Sequence, residues 1–578
     1  MGSIQEAPLN IERELTAAHT NNADDAINLA SQNHHVFDVE ETIPSGGRSK
    51  TQTTIIMLAL CSSLFLAALD AAITTTALPT ITEQLHSSSG YTWVGSAYLL
   101  AHAACCPIWG KFSDIWGRKP ILLGAVAVFF VGSLLCGAST SMMMLLVGRV
   151  VQGSAGGGIN ILTNICISDL FSMRNRGSFL GLLGLVHASA GALGPVLGGF
   201  FTELASWRWC FYINLPISAI AFTILFFYLS LKTPKTPLMA GLKAVDWLGS
   251  IAILGVTLMT LLGLNFGGVT FPWDSPKVIC LIVFGLVMMV IFFFTEAKVA
   301  KYPLMPLKLF QHRSNIATLL VTFCHGFTYI AGSYYLPLFF QAVRGCSPLM
   351  SGVFLIPFAV TMSLGNVITG IYTRKTGKYL EPLWAGLTIM TLGLGLLTTL
   401  KPTTPLPQTL IYTIIAALGI GPGFQSPLIA LQTLVQPTDI ATATATLGFL
   451  RNISSSMSVV VGGVIFNYVM QTHASTLTAA LGAATAAKLS GGSAEANVGV
   501  VKALSTVEER HVAREAYADS LGWMWVLYVC VSGAGLVASA FVGRQVLSVL
   551  YVETKTGLDV DSGVVGGVRD GDDVERGS

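Results

Sequence analysis

The chain has 578 residues, of which 52% are hydrophobic and 11% are charged, and its formal net charge at pH 7 is +2. About 25% of the residues in a soluble domain are charged, so this composition excludes an ordinary soluble protein. The small net charge also argues against nucleic-acid binding, which needs a strongly basic surface. The apolar residues form separate runs of about 20 residues, long enough to cross a bilayer, and therefore predict an integral membrane protein.

The apolar runs predict an all-α fold with fourteen membrane-spanning helices. We expect the polar residues 1–50 and the Gly- and Asp-rich residues 549–578 to be disordered tails. Residues 471–521, between the last two spans, hold Ala-rich and charged stretches that are compatible with a short amphipathic helix. The predicted spans are residues 54–78, 92–110, 120–139, 142–164, 178–201, 210–231, 246–266, 278–296, 316–340, 350–372, 382–400, 408–430, 442–470 and 522–544.

The positive charges of the connections predict how the chain is oriented in the membrane. They concentrate after even-numbered spans, as at Lys111, Arg118 and Lys119 after span two. Because basic connections stay in the cytoplasm, we expect both termini to be cytoplasmic and residues 471–521 to be extracellular. The sequence favours the plasma membrane without excluding the vacuolar membrane.

An internal repeat follows spans two and ten. The run G-K-F-S-D-I-W-G-R-K at Gly110–Lys119 aligns with G-I-Y-T-R-K-T-G-K at Gly370–Lys378, so that Gly117 matches Gly377. Two six-span halves separated by an extra pair of spans explain this arrangement, which is a known plan for transporters. The predicted domains are an N-terminal bundle at residues 51–235, two linker helices at 236–300 and a C-terminal bundle at 301–548.

Five short motifs of the first half carry a family resemblance. They are L-D-A-A-I-T-T-T-A-L-P at Leu69–Pro79, G-K-F-S-D-I-W-G-R-K at Gly110–Lys119, R-V-V-Q-G-S-A-G-G-G at Arg149–Gly158, G-A-L-G-P-V-L-G-G at Gly191–Gly199 and S-W-R-W-C-F-Y-I-N-L-P at Ser206–Pro216. Through them the chain resembles the fourteen-span drug:proton antiporter family of the major facilitator superfamily. The runs S-D-L-F-S-M-R-N-R-G and A-T-A-T-A-T-L-G-F-L-R also resemble fungal toxin-efflux pumps within that family.

The resemblance implies the major facilitator fold and proton-coupled efflux of a hydrophobic or amphiphilic small molecule, such as a toxin, a secondary metabolite or a drug. Its partners would be that substrate, protons and the lipid bilayer, and we expect a monomer without a cofactor, a metal ion or enzymatic activity. The sequence has no G-x-x-x-x-G-K-[ST] phosphate loop for ATP-driven transport. Uptake of a metabolite or iron chelate, and nutrient sensing on a transporter scaffold, remain alternatives, although the fifth-span motif favours efflux.

The loop after span two is predicted to form a gate. Gly110 and Gly117 would let the backbone turn sharply, and Asp114 can pair with Arg118 four residues further on. The resemblance implies that this loop holds the two halves together when the protein faces outward. For Lys119 we favour the simpler interpretation that it marks the cytoplasmic side.

Asp70 in span one and Arg149 in span four are deep intramembrane charges. At roughly 1.5 Å per residue both lie about 10–12 Å from the same face, so they can meet if these spans are neighbours, as they are in the superfamily. Charges in the membrane are costly and are usually paired or functional. We expect Asp70 to bind the coupling proton and Arg149 to tune it. A permanent pair that only joins two helices is the alternative.

The run G-A-L-G-P-V-L-G-G in span five contains Gly191, Gly194, Pro195, Gly198 and Gly199. Membrane helices tolerate such residues because neighbouring helices pack closely against them and satisfy freed backbone groups. By itself the run is better explained as a close-packing face. Together with the gate loop and the intramembrane acid, we interpret it as a bend that biases the protein toward export.

Aromatic, amide and basic side chains are the candidates for contacting a substrate between the halves, because an apolar, aromatic cavity suits amphiphilic molecules. Arg451 would bind an anionic group of the substrate or a backbone carbonyl. Core packing is the simpler explanation for most of the others. Gly419, Gly421 and Pro422 are expected to bend or interrupt span twelve beside this cavity. The candidates are Arg451, Phe327, Tyr334, Tyr335, Gln341, Phe424, Gln425 and Gln432.

Overall fold

The helices of the computed structural model follow the apolar runs of the sequence, and the predicted all-α fold is confirmed. Apart from one isolated bridge between Gly267 and Phe271, the described part of the chain holds no β-structure. The predicted tails lie outside the described residues, except for Ser49 and Lys50. The structure describes residues 49–86, 90–229, 231, 234, 236–267, 271–300, 302–436, 439–490, 494, 498–545 and 547.

We number the long helices α1 to α14 in chain order. Helix α6 is interrupted at Ile213, α9 continues into a π-helical turn at Phe339–Val343, and α12 is broken by a 3-10 turn at Gly421–Phe424. The helices are α1 (Lys50–Gln84), α2 (Gly90–Trp116), α3 (Arg118–Gly137), α4 (Met142–Leu170), α5 (Met173–Leu204), α6 (Trp209–Tyr228), α7 (Trp247–Phe266), α8 (Pro276–Lys298), α9 (Arg313–Leu338), α10 (Pro348–Thr376), α11 (Leu380–Leu397), α12 (Leu406–Gln432), α13 (Ile440–Thr472) and α14 (Val507–Ser539).

Length and composition mark twelve of the described helices as long and apolar enough to cross a membrane. The two remaining long helices, α2 and α4, are less apolar; α4 carries several glycines together with Arg149 and Gln152, which lie buried in the bundle. A helix that faces other helices does not need the apolar surface that lipid requires. The count of fourteen spans therefore stays a prediction.

The segment between α13 and α14 is more helical than expected. Short helices lie at Ala474–Leu481, Ala483–Leu489 and Val498–Ala503. Helix α14 also begins at Val507, well before the predicted start of the span at residue 522, because a capping box precedes it. The Thr506 hydroxyl accepts from the Glu509 N–H (3.1 Å), and the Glu509 carboxylate accepts from the Thr506 N–H (3.0 Å).

Two groups of six helices and a linker pair organise the described residues. Most of the other helices pack within their own half, through pairs such as α2 with α4 and α9 with α13, whereas α5 packs chiefly on α10 of the other half. Helix α7 packs on α8 and also contacts α2 and α13, one from each half. The halves meet where α2 contacts α13 and α5 contacts α10. The predicted domain boundaries stay a prediction, because the described residues after Thr51 cluster as one unit.

Candidate transport site

The two copies of the repeat lie at one end of the bundle, which we call the gate end. The opposite end, with the short helices at Ala474–Leu481, Ala483–Leu489 and Val498–Ala503, is the loop end. At the gate end a side chain at Gly110 of α2 would lie 2.7 Å from Cβ of Ala445 in α13. At the matching position, a side chain at Gly370 of α10 would collide with the carbonyl oxygen of Gly177 in α5. The first glycine of each copy thus lies at a close contact between the halves, in the pair α2–α13 and in the pair α5–α10.

The second glycine of each copy makes the turn. Gly117 has φ of 92° and Gly377 has φ of 70°, in the left-handed region that glycine adopts most easily. Gly110 is instead helical within α2, so the prediction that it turns the backbone was wrong. Position 110 needs a glycine because α13 approaches closely.

Two acids hold Arg118, where the sequence predicted one. Its guanidinium lies 2.5 Å from the Asp114 carboxylate and 2.8 Å from that of Asp169 at the end of α4. The side chain of Arg118 is 2% exposed, so these carboxylates provide the counter-charge that a buried cation needs. Sequence reasoning missed Asp169, although it lies in the run S-D-L-F-S-M-R-N-R-G. Lys119 instead donates to the carbonyl of Phe226 (2.7 Å).

Hydrogen bonds between the halves close the gate end. The Gln432 amide of α12 accepts from Arg176 (3.0 Å) and donates to the Ser168 hydroxyl (2.9 Å). Arg174 donates to the carbonyl of Arg374 (2.6 Å) near the end of α10. Gln432 is 1% exposed. It is therefore a gate contact in this conformation and not the cavity residue that the sequence predicted.

Replacing Gln432 with leucine is expected to favour opening at the gate end. The change removes two hydrogen bonds between the halves, each worth about 1 kcal/mol, which corresponds to a population shift of roughly 30-fold. Cys106 reports this opening, because it lies 2% exposed where α2 meets α13. In a variant that keeps only this cysteine, we expect Gln432→Leu to accelerate labelling of Cys106 by a maleimide.

Gln408→Leu is the matched control for this change. Gln408 lies on α12 at the loop end, is exposed, and donates only to Tyr412 of its own helix (2.6 Å). We expect it to leave the labelling rate of Cys106 unchanged. Equal labelling rates in the Gln432 variant, its control and the parent protein would contradict the gate role of Gln432.

The contacts between α5 and α10 end midway along the helices. The carbonyl of Gly184 accepts from the Ser363 hydroxyl at 3.5 Å. About two turns further along the same face of α5, a side chain at Gly191 would meet no atom within 4 Å. Gly352, about three turns from Ser363 on the same face of α10, is equally open. These two helices therefore diverge toward the loop end.

Helices α2 and α13 separate in the same direction. The Asn452 amide donates to the Cys106 sulfur at 3.5 Å. Toward the loop end on the same face of α2, Leu99 is 58% exposed and a side chain at Gly95 would meet no atom within 4 Å. Both pairs of helices thus touch at the gate end and diverge toward the loop end. We call the space between them the central cleft.

Asp70 of α1 is enclosed inside the first half. One carboxylate oxygen lies 2.5 Å from the guanidinium of Arg149, and the other accepts from the amides of Gln152 (2.8 Å) and Asn214 (2.9 Å). Asp70, Gln152 and Asn214 are 0% exposed and Arg149 is 1% exposed. One guanidinium and two amides thus direct N–H groups at this carboxylate, and hydrogen bonds from a charged donor are the stronger kind.

Arg149 has partners besides Asp70. It donates to the carbonyl of Val94 (3.1 Å), and its guanidinium carbon lies 4.4 Å from the ring centre of Tyr98, within the range of a cation–π interaction. The sequence pointed to Asp70 and Arg149 but missed Gln152 and Asn214. Both lie inside recognised motifs, and Gln152 is about one helical turn from Arg149, which was the available signal.

Helix α5 runs without a break through the motif G-A-L-G-P-V-L-G-G. A side chain at Gly194 would lie 2.5 Å from Cβ of Ala72 and 3.1 Å from the backbone nitrogen of Ile73, so α5 packs closely on α1 there. Side chains at Gly191 and Gly199 would meet no atom within 4 Å. Close packing is thus located at Gly194, whereas the bend associated with Pro195 and Gly198 stays a prediction.

Some predicted cavity residues lie together where the broken α12 meets α13. Arg451 donates to the carbonyl of Phe424 (3.0 Å), and its guanidinium carbon lies 5.3 Å from the centre of that ring. The amide of Gln425 donates to Asn366 of α10. The predicted interruption of span twelve is present, because the 3-10 turn at Gly421–Phe424 exposes the carbonyls that Arg451 binds.

The other predicted cavity residues have different surroundings. Phe327 is 5% exposed and Tyr335 is 0% exposed, and the Tyr335 hydroxyl donates to the carbonyl of Val459 (2.5 Å). Gln341 donates to Ser351 (3.0 Å), beyond the end of α9. Tyr334 is 50% exposed. Phe327 and Tyr335 are therefore buried in the core in this conformation. This is the simpler explanation that the sequence offered for most of the cavity candidates.

The sequence matches a known protein-family model. The family model described as Major Facilitator Superfamily matches residues 60–459. The chain belongs to the Major Facilitator Superfamily. Its all-α, multi-pass membrane architecture is therefore that of this superfamily.

Curated relatives and solved structures agree with the superfamily assignment. The chain is 48% identical to the efflux pump dotC of Dothistroma septosporum, over 89% of this chain and 88% of that protein. It is 45% identical to the MFS-type transporter ppz2 of Metarhizium majus, over 91% of each chain. The solved proton:xylose symporter XylE is 14% identical and superposes with a TM-score of 0.56, covering 86% of this chain and 97% of that one. This structural likeness shows the fold alone.

Proposed function

We propose that the protein exports a hydrophobic or amphiphilic small molecule, such as a secondary metabolite, a toxin or a drug, in exchange for protons. Relatives named efflux pumps, at up to 48% identity, support the export of a small molecule. The observation that carries the proton coupling is the fully buried carboxylate of Asp70, paired with Arg149. An ionisable group inside a membrane protein is costly and typically serves proton or substrate movement.

Asp70 is suited to bind a proton because its surroundings support two states. In the ionised state one guanidinium and two amides stabilise the carboxylate. Protonation removes the ion pair, while Arg149 keeps the Val94 carbonyl and the Tyr98 ring as partners. The two states differ by one proton and by the ionic attraction between α1 and α4. Proton binding therefore changes how strongly these helices are held together, and this couples it to a conformational change.

Helix α5 connects this proton site to the gate. Gly194 contacts α1 at Ala72 and Ile73, directly after Asp70 in the helix. At its other end α5 contacts α10 at Gly177. A shift of α1 on protonation of Asp70 therefore moves a helix that also forms the gate contact, and the two halves rock about the central cleft.

Purified protein in liposomes with an acidic interior tests the proposal. Protons leaving the liposome should drive fluorescein or rhodamine 123, two amphiphilic dyes with related ring systems, into the lumen. A protonophore should abolish this accumulation, and protein-free liposomes should show none. Dye accumulation that requires an alkaline lumen would indicate transport in the same direction as protons and would contradict antiport.

We further propose that the protein is a monomer of the plasma membrane with both termini in the cytoplasm. Support comes from Lys111, Arg118 and Lys119 at the gate end, because basic connections remain on the cytoplasmic side. With this orientation the central cleft opens outward. Protection of an N-terminal epitope tag from protease added to intact cells is the expected result.

A further inference from the structure

We propose that the central cleft contains an anion-binding site centred on Arg451, and that the exported molecule is an amphiphile carrying a carboxylate or another ionised acid group. The inference rests on the proposed function, because it names the class of molecule that the same cleft carries.

Arg451 is a cation that has no acidic partner among the residues that the structure describes. One terminal nitrogen donates to the carbonyls of Phe424 (3.0 Å) and Gly423 (3.4 Å), and these neutral acceptors leave the positive charge uncompensated. Its Nε is buried and has no hydrogen-bond partner among the described residues. A buried guanidinium presents its N–H groups in a fork that matches the two oxygens of a carboxylate. The unused donor is therefore available to a ligand.

Two histidines of the other half are linked to Arg451 electrostatically, one directly and one through the other. His187 of α5 is exposed and interacts electrostatically with Arg451, although it lies midway along its helix. His102 of α2 interacts with His187 in turn, and its Nδ1 is buried without a hydrogen-bond partner in the described part of the chain. Arg451, His187 and His102, on three of the helices that join the halves, thus form one electrostatically linked cluster, in which Arg451 is the permanent cation.

No described acidic side chain of α1–α13 compensates this cluster. The carboxylates named below, whose side chains the structure describes, are bound elsewhere, to other basic side chains or to backbone N–H groups. A buried guanidinium inside a membrane protein is stabilised by a counter-ion, and we infer that an anionic ligand supplies it to Arg451. The acids and their partners are Asp70 with Arg149, Asp114 and Asp169 with Arg118, Glu296 with the N–H groups of Leu304 and Met305, and Glu381 with Arg544.

Aromatic rings border the same cluster and define the rest of the ligand. Phe424 lies 4.9 Å from His325 and 5.1 Å from Tyr329, measured between ring centres. Such a surface binds a flat, apolar ring system. The cleft diverges toward the loop end, so the site is reachable from that side. Charge and apolar surface together select an acidic amphiphile over a cationic one.

Equilibrium binding to the purified full-length protein in chloride-free buffer tests this inference. Fluorescein is an anion and rhodamine 123 is a cation with a related ring system, and the fluorescence anisotropy of each dye reports binding directly. We expect fluorescein to bind at least about tenfold more tightly than rhodamine 123. Arg451→Gln should weaken fluorescein binding at least about tenfold, because it removes a charge-assisted contact, and should change rhodamine 123 binding less than about threefold. Arg451→Lys should retain most of the preference.

Arg344→Gln is the matched control, since Arg344 also binds a backbone carbonyl, that of Thr404, but lies in the connection after α9. Its dye preference should equal that of the parent protein. Equal affinities for the two dyes, or a preference that survives Arg451→Gln, would overturn the anion site. Binding needs no proton gradient. A preserved preference without gradient-driven transport would therefore refute the proposed antiport alone, and gradient-driven transport without the preference would refute the anion site alone.

Discussion

Replacing Asp70 with asparagine is expected to abolish transport driven by a pH gradient while leaving a folded protein. Asparagine has nearly the shape of aspartate, but it binds no proton in the physiological range. The site can accommodate the new amide. The side-chain oxygen Oδ1 of Asn214 has no hydrogen-bond partner among the described residues and can accept from the amide of the substituted asparagine. Arg149 loses its counter-ion but keeps the carbonyl of Val94, so we expect a lower yield of folded protein, with the folded fraction still available for assay.

Two assays separate coupling from folding in this variant. Dye accumulation under a pH gradient should fall to the level of protein-free liposomes. Exchange of labelled for unlabelled dye without a gradient should persist, because it does not require release of the proton. Full gradient-driven accumulation by Asp70→Asn would show that another group carries the proton.

A double variant distinguishes a permanent Asp70–Arg149 pair from a switching one. Removing one partner of a buried ion pair costs about 3–5 kcal/mol, whereas replacing both by neutral groups is often close to neutral. Asp70→Asn with Arg149→Gln should therefore restore the yield of folded protein relative to Arg149→Gln alone. If the pair is only structural, the double variant should also regain gradient-driven transport. If Asp70 binds the coupling proton, gradient-driven transport should stay absent in the double variant.

Enlarging Gly194 is expected to stop transport, whereas enlarging its neighbours in the same motif is not. A side chain at Gly194 would lie 2.5 Å from Cβ of Ala72, so α1 and α5 must separate next to Asp70. Overpacking of this kind typically costs about 1–3 kcal/mol. Gly194→Leu should remain in the membrane and lose gradient-driven dye accumulation.

Gly191→Ala and Gly199→Ala are the matched controls, because side chains at these positions would meet no atom within 4 Å. Both should transport at the parent rate, with folded protein measured by size-exclusion chromatography. Pro195→Ala tests the bend independently of packing, since it removes the proline without adding volume. Transport by Gly194→Leu at the parent rate would show that close packing of α5 on α1 is dispensable.

Sequence reasoning succeeded where a property depends on neighbours along the chain. The repeat predicted that Gly117 and Gly377 correspond, and both have positive φ. It failed at Gly110, because a glycine required for close approach looks the same in sequence as a glycine required for a turn. Hydropathy likewise missed the start of α14, because the capping box at Thr506 extends the helix through polar residues.

The candidate site likewise contains residues that the sequence identified and residues that only the structure identified. Asp70 and Arg149 were recognisable because charges are rare in apolar spans. Gln152 and Asn214, which complete the site, were not recognisable from the sequence, because amides are ordinary residues in any helix. Gln432 was assigned to the cavity from its residue type, but its bonds to Ser168 and Arg176 place it at the gate.

The amino-acid sequence by itself determined the membrane class, the doubled arrangement and the superfamily, because hydropathy, repeats and motifs are properties of local segments. Only the tertiary structure decided which groups act together. Asp169 joins Arg118, Gly194 meets Ala72, and Arg451 binds the carbonyls of the broken α12 while its Nε has no hydrogen-bond partner among the described residues. These relations connect residues far apart in the chain, so they arise only when the helices pack and place unpaired charge and close contacts at specific points.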